Sequence, residues 1–210
     1  MTLMATKIEK LFPTLISNGA LPKAAALNKR LAAGITELSA QDRAGQEWSK
    51  QNYRGGYTSY ATLTDLHYRM PVFSEFAELI QKPAEAYAKA LGWSLKGMEL
   101  ELDSLWMNVM PKGTYHTLHL HPHSVLSGAY YVKCPPGSVA LKLEDPRMGF
   151  YMNAPLRTGK GSGLYHEVEA KEGTFVLFES WLRHEVPPNQ SRDPRLSLSF
   201  NFSLLPRNQG

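Results

Sequence analysis

Four of the chain's seven histidines lie between His116 and His123, in the run HTLHLHPHSVLSG. If this run is a strand, His119 and His121 share a face, because side chains alternate along an extended backbone. Two imidazoles at adjacent same-face positions form a ready metal chelate. A third ligand has to come from another strand. His184 in SWLRHEVPP is the best placed, since it follows the apolar run FVLFES and precedes a double proline that ends a strand. Ligands drawn from two strands leave one side of the ion open. A non-haem iron site uses such an opening for oxygen and a second small molecule.

The final apolar run, RLSLSFNFS, adds a second chemistry. Arg195, Ser197, Ser199, Asn201 and Ser203 alternate with Leu196, Leu198, Phe200 and Phe202, so one face is polar and the other greasy. A guanidinium and a hydroxyl on one face, Arg195 and Ser197, make a carboxylate clamp. A dicarboxylic keto acid could chelate a metal with one end and reach this clamp with the other. Asn108, near the end of a strand before PKG, and Tyr131, on the face of Ser127 and Ala129, are further pocket candidates.

These side chains need a scaffold. Eight short strands are expected at 98–109, 114–121, 125–133, 138–144, 163–170, 173–178, 182–187 and 195–204, a spacing that suits a sandwich or barrel. The eight-stranded jelly roll, cupins included, is the natural form. Upstream, Leu27, Leu31, Ile35 and Leu38 predict a helix over 21–41. Phe76, Leu79, Ile80, Tyr87 and Leu91 predict another over 73–91, kinked at Pro83. A strand is expected from Ile8 to Ile16, and residues 44–70 read as irregular. The greasy face of the last strand then packs on the helices and its polar face lines a wet interior. The expected fold is therefore mainly β (α+β), one domain over 1–210, with mixed N-terminal elements to residue 95 and a jelly-roll core over 96–205.

The order H-x-H, SGAYYVKCPPGS, LKLEDPR, EGTFVLFESWLRHEV and RLSLSFNF resembles the 2-oxoglutarate/Fe(II) oxygenase superfamily. It is most similar to the branch with H-x-H-P followed by SG-x-YY. The resemblance spans roughly residues 100–204. It implies a double-stranded β-helix, Fe(II), 2-oxoglutarate as co-substrate, molecular oxygen and hydroxylation of a second substrate. It implies that His119 and His184 bind metal and that Arg195, helped by Ser197, anchors the distal carboxylate. The superfamily's first motif usually ends in a carboxylate, whereas here the position is His121. Either three histidines form the site, or Glu144 or Asp145 supplies a carboxylate; strand geometry favours His121.

The remaining features are plainer. Cys134 is the only cysteine, so no internal disulfide framework exists, and a reducing, cytoplasmic location is expected. The net charge of +4 is scattered rather than gathered into a nucleic-acid-binding block. No apolar run is long enough for a membrane span, and the N-terminus does not read as a signal peptide. A homo-oligomer stays open. His116 and His123 read as neighbours of the metal rather than ligands, His67 and His166 as ordinary polar residues, and Cys134 as inert. NYRGGYTSY (52–60) reads equally as a packed arm or a substrate lid. Two other functions fit parts of the pattern: a cupin-like three-histidine metalloenzyme that uses no keto acid, and a non-catalytic metal-binding β-sandwich.

Overall fold

The structure is a computed structural model that describes residues 6–147, 152 and 163–207. Two antiparallel sheets face each other. The larger has the order β1-β8-β5-β10-β3-β2 and the smaller β4-β9-β6-β7. The strands are β1 (Ser17–Ala20), β2 (Tyr57–Thr58), β3 (Met98–Met110), β4 (His116–His119), β5 (Leu126–Lys133), β6 (Leu141–Glu144), β7 (Tyr165–Val168), β8 (Thr174–Glu179), β9 (His184–Val186) and β10 (Arg195–Pro206). This is the jelly-roll arrangement expected from the eight strand signals, each of which has its counterpart from β3 onward.

Helices α1 (Ala24–Gln41) and α3 (Pro71–Ala90) cover the outer face of the larger sheet. Leu27, Leu31 and Ile35 of α1 meet Phe73, Phe76 and Ile80 of α3 over Leu198, Phe200 and Phe202 of β10 in one buried cluster. Burying each such side chain is worth about 1.5–3 kcal/mol, which ties the helices to the sheet. The helix α3 starts at Pro71, where the ring suits the first turn, and runs unbroken across Pro83. A second cluster, with Met110, Leu141, Leu143, Val176, Phe178 and Val186, fills part of the space between the sheets.

The larger sheet therefore has two distinct faces. On β10, the alternation sends Leu198, Phe200 and Phe202 to the helices, while Arg195, Ser197, Ser199 and Asn201 line an interior cavity. On β3, a bulge does the sorting. Asn201 pairs with Ser104 and Phe202 with Leu102, so Asp103 is the extra residue. That residue flips the parity. Leu100 and Leu102 face the helices before it, Leu105 and Met107 after it, and Trp106 and Asn108 are thereby turned into the cavity.

Two expectations for the N-terminal part are corrected. Residues 8–16 form no strand; Ile8, Leu11 and Phe12 are exposed. The edge strand is the more polar Ser17–Ala20, paired with β8. Its Gly19 lies under the Phe175 ring, where a Cβ would stand 2.5 Å from the ring's Cζ. Residues 44–70 are not wholly irregular. They include β2, a 3-10 turn at Leu66–Tyr68 and most of helix α2 (Arg43–Asn52), whose first turn is capped by Asp42 accepting from the Gly45 N–H at 2.9 Å. The helix α2 buries only Gly45 and Ser49, so it has no apolar stripe to read.

Candidate active site

Strand pairing brings two of the histidines together. On the smaller sheet, His119 of β4 lies directly opposite His184 of β9, with ring centroids 4.3 Å apart. The strand β4 ends at His119, two residues short of the expectation, but the chain stays anchored: the His121 N–H donates to the Ser180 carbonyl at 3.1 Å. His121 sits 5.3 Å from His119 and 5.0 Å from His184, ring to ring. A nitrogen from each of the three rings lies within 4.8 Å of the others. Among the described residues this is the one group of histidine, cysteine or acidic side chains close enough to hold a metal ion together.

Each ring is held by the same nitrogen. Nδ1 of His119 contacts the Thr117 carbonyl at 2.6 Å, and Nδ1 of His184 the Leu182 carbonyl at 2.9 Å. Nδ1 of His121 contacts Oδ1 of Asn201 at 2.7 Å. A carbonyl oxygen can only accept, so each Nδ1 carries the proton and each Nε2 keeps a free lone pair. Burial pushes His121 and His184 down to about 4 and about 3, and lowers His119 as well. Neutral imidazoles with oriented lone pairs are what a divalent metal requires of its ligands.

Behind His121 lies a buried chain of polar groups that the sequence did not single out. Oδ1 of Asn201 also accepts from the Ser127 hydroxyl at 2.8 Å, and the Ser180 hydroxyl donates to Ser127 Oγ at 2.8 Å. Ser180 thus holds His121 twice, through its carbonyl and through this chain. Replacing Asn201 by leucine is expected to weaken metal affinity about 10–100-fold while leaving all three rings in place, the usual cost of removing a partner that orients a ligand. Metal titration of the purified variant checks it.

The two acidic candidates for the third position have other partners. Glu144 accepts from Arg183 at 3.1 Å, and Asp145 pairs with Arg147. Neither joins the histidine group.

The cavity beside the histidines is about 360 Å³. Asn108, Ser197 and Tyr131 form one row across β3, β10 and β5, and Trp106, Ser199 and Ala129 form the next. Arg195 lies one same-face step beyond Ser197. It is 3% exposed, its Nη1 donates to the Val139 carbonyl at 3.1 Å, and its guanidinium stands 5.7 Å from the Tyr131 ring centre. Among the described residues neither Asp193, Glu185 nor any other carboxylate pairs with it, and its buried Nε has no partner. An unpaired buried cation is costly. Such a site can take an anion, and Arg195 and Ser197 both line the cavity. At the other end of the cavity Trp106 covers His121, with centroids 5.6 Å apart, and Tyr60 meets Trp106 edge-on at 5.4 Å.

The other histidines divide as follows. His116 lines the cavity and stacks on Tyr53 at 4.4 Å, and burial pushes it to about 3. His123 is exposed and has a positive φ of 68°. His166 is exposed, while both ring nitrogens of His67 are buried without partners. Burial raises Cys134 to about 11, which disfavours its thiolate.

These shifts have a consequence for stability. Folded His116, His121 and His184 stay neutral down to about 3, 4 and 3, whereas each takes up a proton near pH 6.5 once unfolded. The unfolded state then binds more protons, so stability falls as pH drops from about 6.5 toward 4 and is regained above 6.5. Denaturant unfolding of metal-free protein should give a pH slope near pH 5 equivalent to about three protons.

A jelly roll with three converging imidazoles and a buried, unpaired arginine in one cavity has the makings of a mononuclear metal oxygenase that binds a carboxylate. Residues 104–201, which hold every one of these side chains, match the family described as "Putative 2OG-Fe(II) oxygenase". Over this segment the chain is similar to the 2-oxoglutarate/Fe(II) oxygenases, which are oxidoreductases. Among solved structures it is similar to a Pseudomonas putida prolyl-4-hydroxylase, with a TM-score of 0.60 and 18% identity over 90% of this chain and 92% of that one. It is also similar to the α-ketoglutarate-dependent epimerase SnoN, with a TM-score of 0.61 and 14% identity over 94% and 80%. HygX from Streptomyces hygroscopicus, solved with nickel and 2-oxoglutarate, gives 0.60 and 13% over 93% and 84%. At these identities the likeness speaks for the fold. A search of the curated proteins found no match.

Proposed function

We propose that the chain couples decarboxylation of 2-oxoglutarate to oxidation of a C–H bond of a second substrate, with His119, His121 and His184 as its iron ligands. The observation that carries this reading is one cavity lined both by three histidines whose Nε2 atoms are free and by a buried guanidinium whose Nε has no partner. The donor set fits the metal: imidazole suits iron, and three ligands leave positions for others. The buried guanidinium fits a carboxylate.

Fe(II) with bound 2-oxoglutarate supplies the oxidation chemistry, consuming oxygen and releasing succinate and CO2. The protein's own groups hold and orient. The three Nδ1 contacts fix the rings so that Nε2 points inward. Arg195 and the Ser197 hydroxyl receive the distal carboxylate, with Asn108 and Tyr131 beside Ser197 in the same row. Trp106 shields His121 from solvent. Three neutral ligands leave the metal's full positive charge unbalanced, which favours a dianionic co-substrate. That argument, together with the inward-facing clamp, supports the keto-acid reading over a three-histidine metalloenzyme that uses none.

The test is succinate formation from 2-oxoglutarate by iron-loaded protein, followed in air and without oxygen. Succinate that requires both iron and oxygen is expected. Its absence with every candidate substrate offered would count against the reading.

A further inference from the structure

The same cavity holds another unsatisfied polar group, this one outside the segment that the family match covers. Tyr53, at the end of α2, is 5% exposed and lines the cavity together with Arg195. Its hydroxyl is buried and has no hydrogen-bond partner. Its ring is fixed by a stack on His116 at 4.4 Å and an interplanar angle of 21°. Gly56 completes the fixing: a Cβ there would stand 2.5 Å from Tyr53 Cε1 and 2.7 Å from Thr114 Cγ2, so the backbone presses directly on the ring. The preceding Gly55, at φ 81°, allows the chain to turn back. The sequence NYRGGY is thus the set of residues that seats Tyr53 in the cavity.

A buried hydroxyl without a partner is costly, and tyrosine hydroxyls usually find one when buried. A phenylalanine would supply the same packing without that cost. Burial also pushes the phenol upward, against a smaller opposing pull from the Arg195 charge, so it remains a proton donor at neutral pH.

Building on the oxygenase reading, we infer that Tyr53 donates its hydroxyl to the same distal carboxylate that Arg195 holds. The arm from Arg43 to Thr58 then becomes part of the co-substrate site, and Tyr53 is a binding residue that selects dicarboxylic keto acids.

The experiment compares wild type and Tyr53→Phe, both loaded with Mn(II), by calorimetric titration with 2-oxoglutarate and with 2-oxobutanoate, which lacks the distal carboxylate. The variant keeps the ring, so its melting temperature should be unchanged or raised. Its Kd for 2-oxoglutarate should rise about 10-fold or more, the usual size of a hydrogen bond to a charged group. Its Kd for 2-oxobutanoate should change less than about 2-fold, since no bond to that ligand is lost. Equal weakening of both keto acids, or no weakening of either, would overturn the inference while leaving the oxygenase reading standing. Failure of the wild type itself to bind 2-oxoglutarate would overturn both.

Discussion

Replacing Arg195 by methionine should cost about 10²–10³ in 2-oxoglutarate affinity and yet leave the metal-free fold as stable as before, or more so. The two effects separate because of where the arginine sits. Its aliphatic stem is buried and its charge has no carboxylate partner. Removing one member of a buried, hydrogen-bonded charge pair in a complex costs about 2–5 kcal/mol, which is the affinity loss expected here. In the free protein the same charge is uncompensated, and replacing buried charge with an apolar side chain of similar volume is often neutral or stabilising. Methionine fills irregular space and limits any cavity penalty. Calorimetric titration and denaturant unfolding of the same preparation give both quantities. Loss of stability in step with affinity would mean that Arg195 holds the fold rather than a ligand.

Replacing His184 by alanine should abolish stoichiometric metal binding, with affinity reduced more than about 100-fold. Losing an outer partner of a ligand already costs about 10–100-fold, and His184 offers its own nitrogen. It is also the member whose removal splits the site: it faces His119 across the strand pair and touches His121 from the other side. His123→Ala, on an exposed turn residue, is the control and should bind metal as wild type does. Metal content after dialysis against limiting iron measures both. Retention of a full equivalent by His184→Ala would remove it from the ligand set.

Much of this arrangement is legible in the sequence because alternation has only one period to read. The run RLSLSFNFS separates a cavity face from a helix-packing face without ambiguity, and the structure keeps that division from Arg195 to Phe202. The histidine at 121 stays on the cavity side although β4 stops at His119, since its backbone bond to Ser180 continues the strand's course. Other features carry no such pattern. The bulge at Asp103 inserts one residue into an otherwise regular run, and nothing in MELELDSLWMNVM marks which residue is extra. Helix α2 packs through Gly45 and Ser49, which leave no hydrophobic period. The chain from His121 through Asn201 and Ser127 to Ser180 joins residues up to 80 positions apart; only the sheet register brings them together. Tyr53 was visible as one tyrosine among several, and its meaning lies in a missing hydrogen bond that no sequence displays.

The most direct test of the account is an anaerobic titration of 2-oxoglutarate into Fe(II)-loaded and metal-free protein, each with Arg195 intact and replaced by methionine. Tight one-to-one binding is predicted for the Fe(II)-loaded protein with arginine, and strongly weakened binding when either the metal or the guanidinium is removed. Binding that is indifferent to both, or absent from the intact iron-loaded protein, would contradict it.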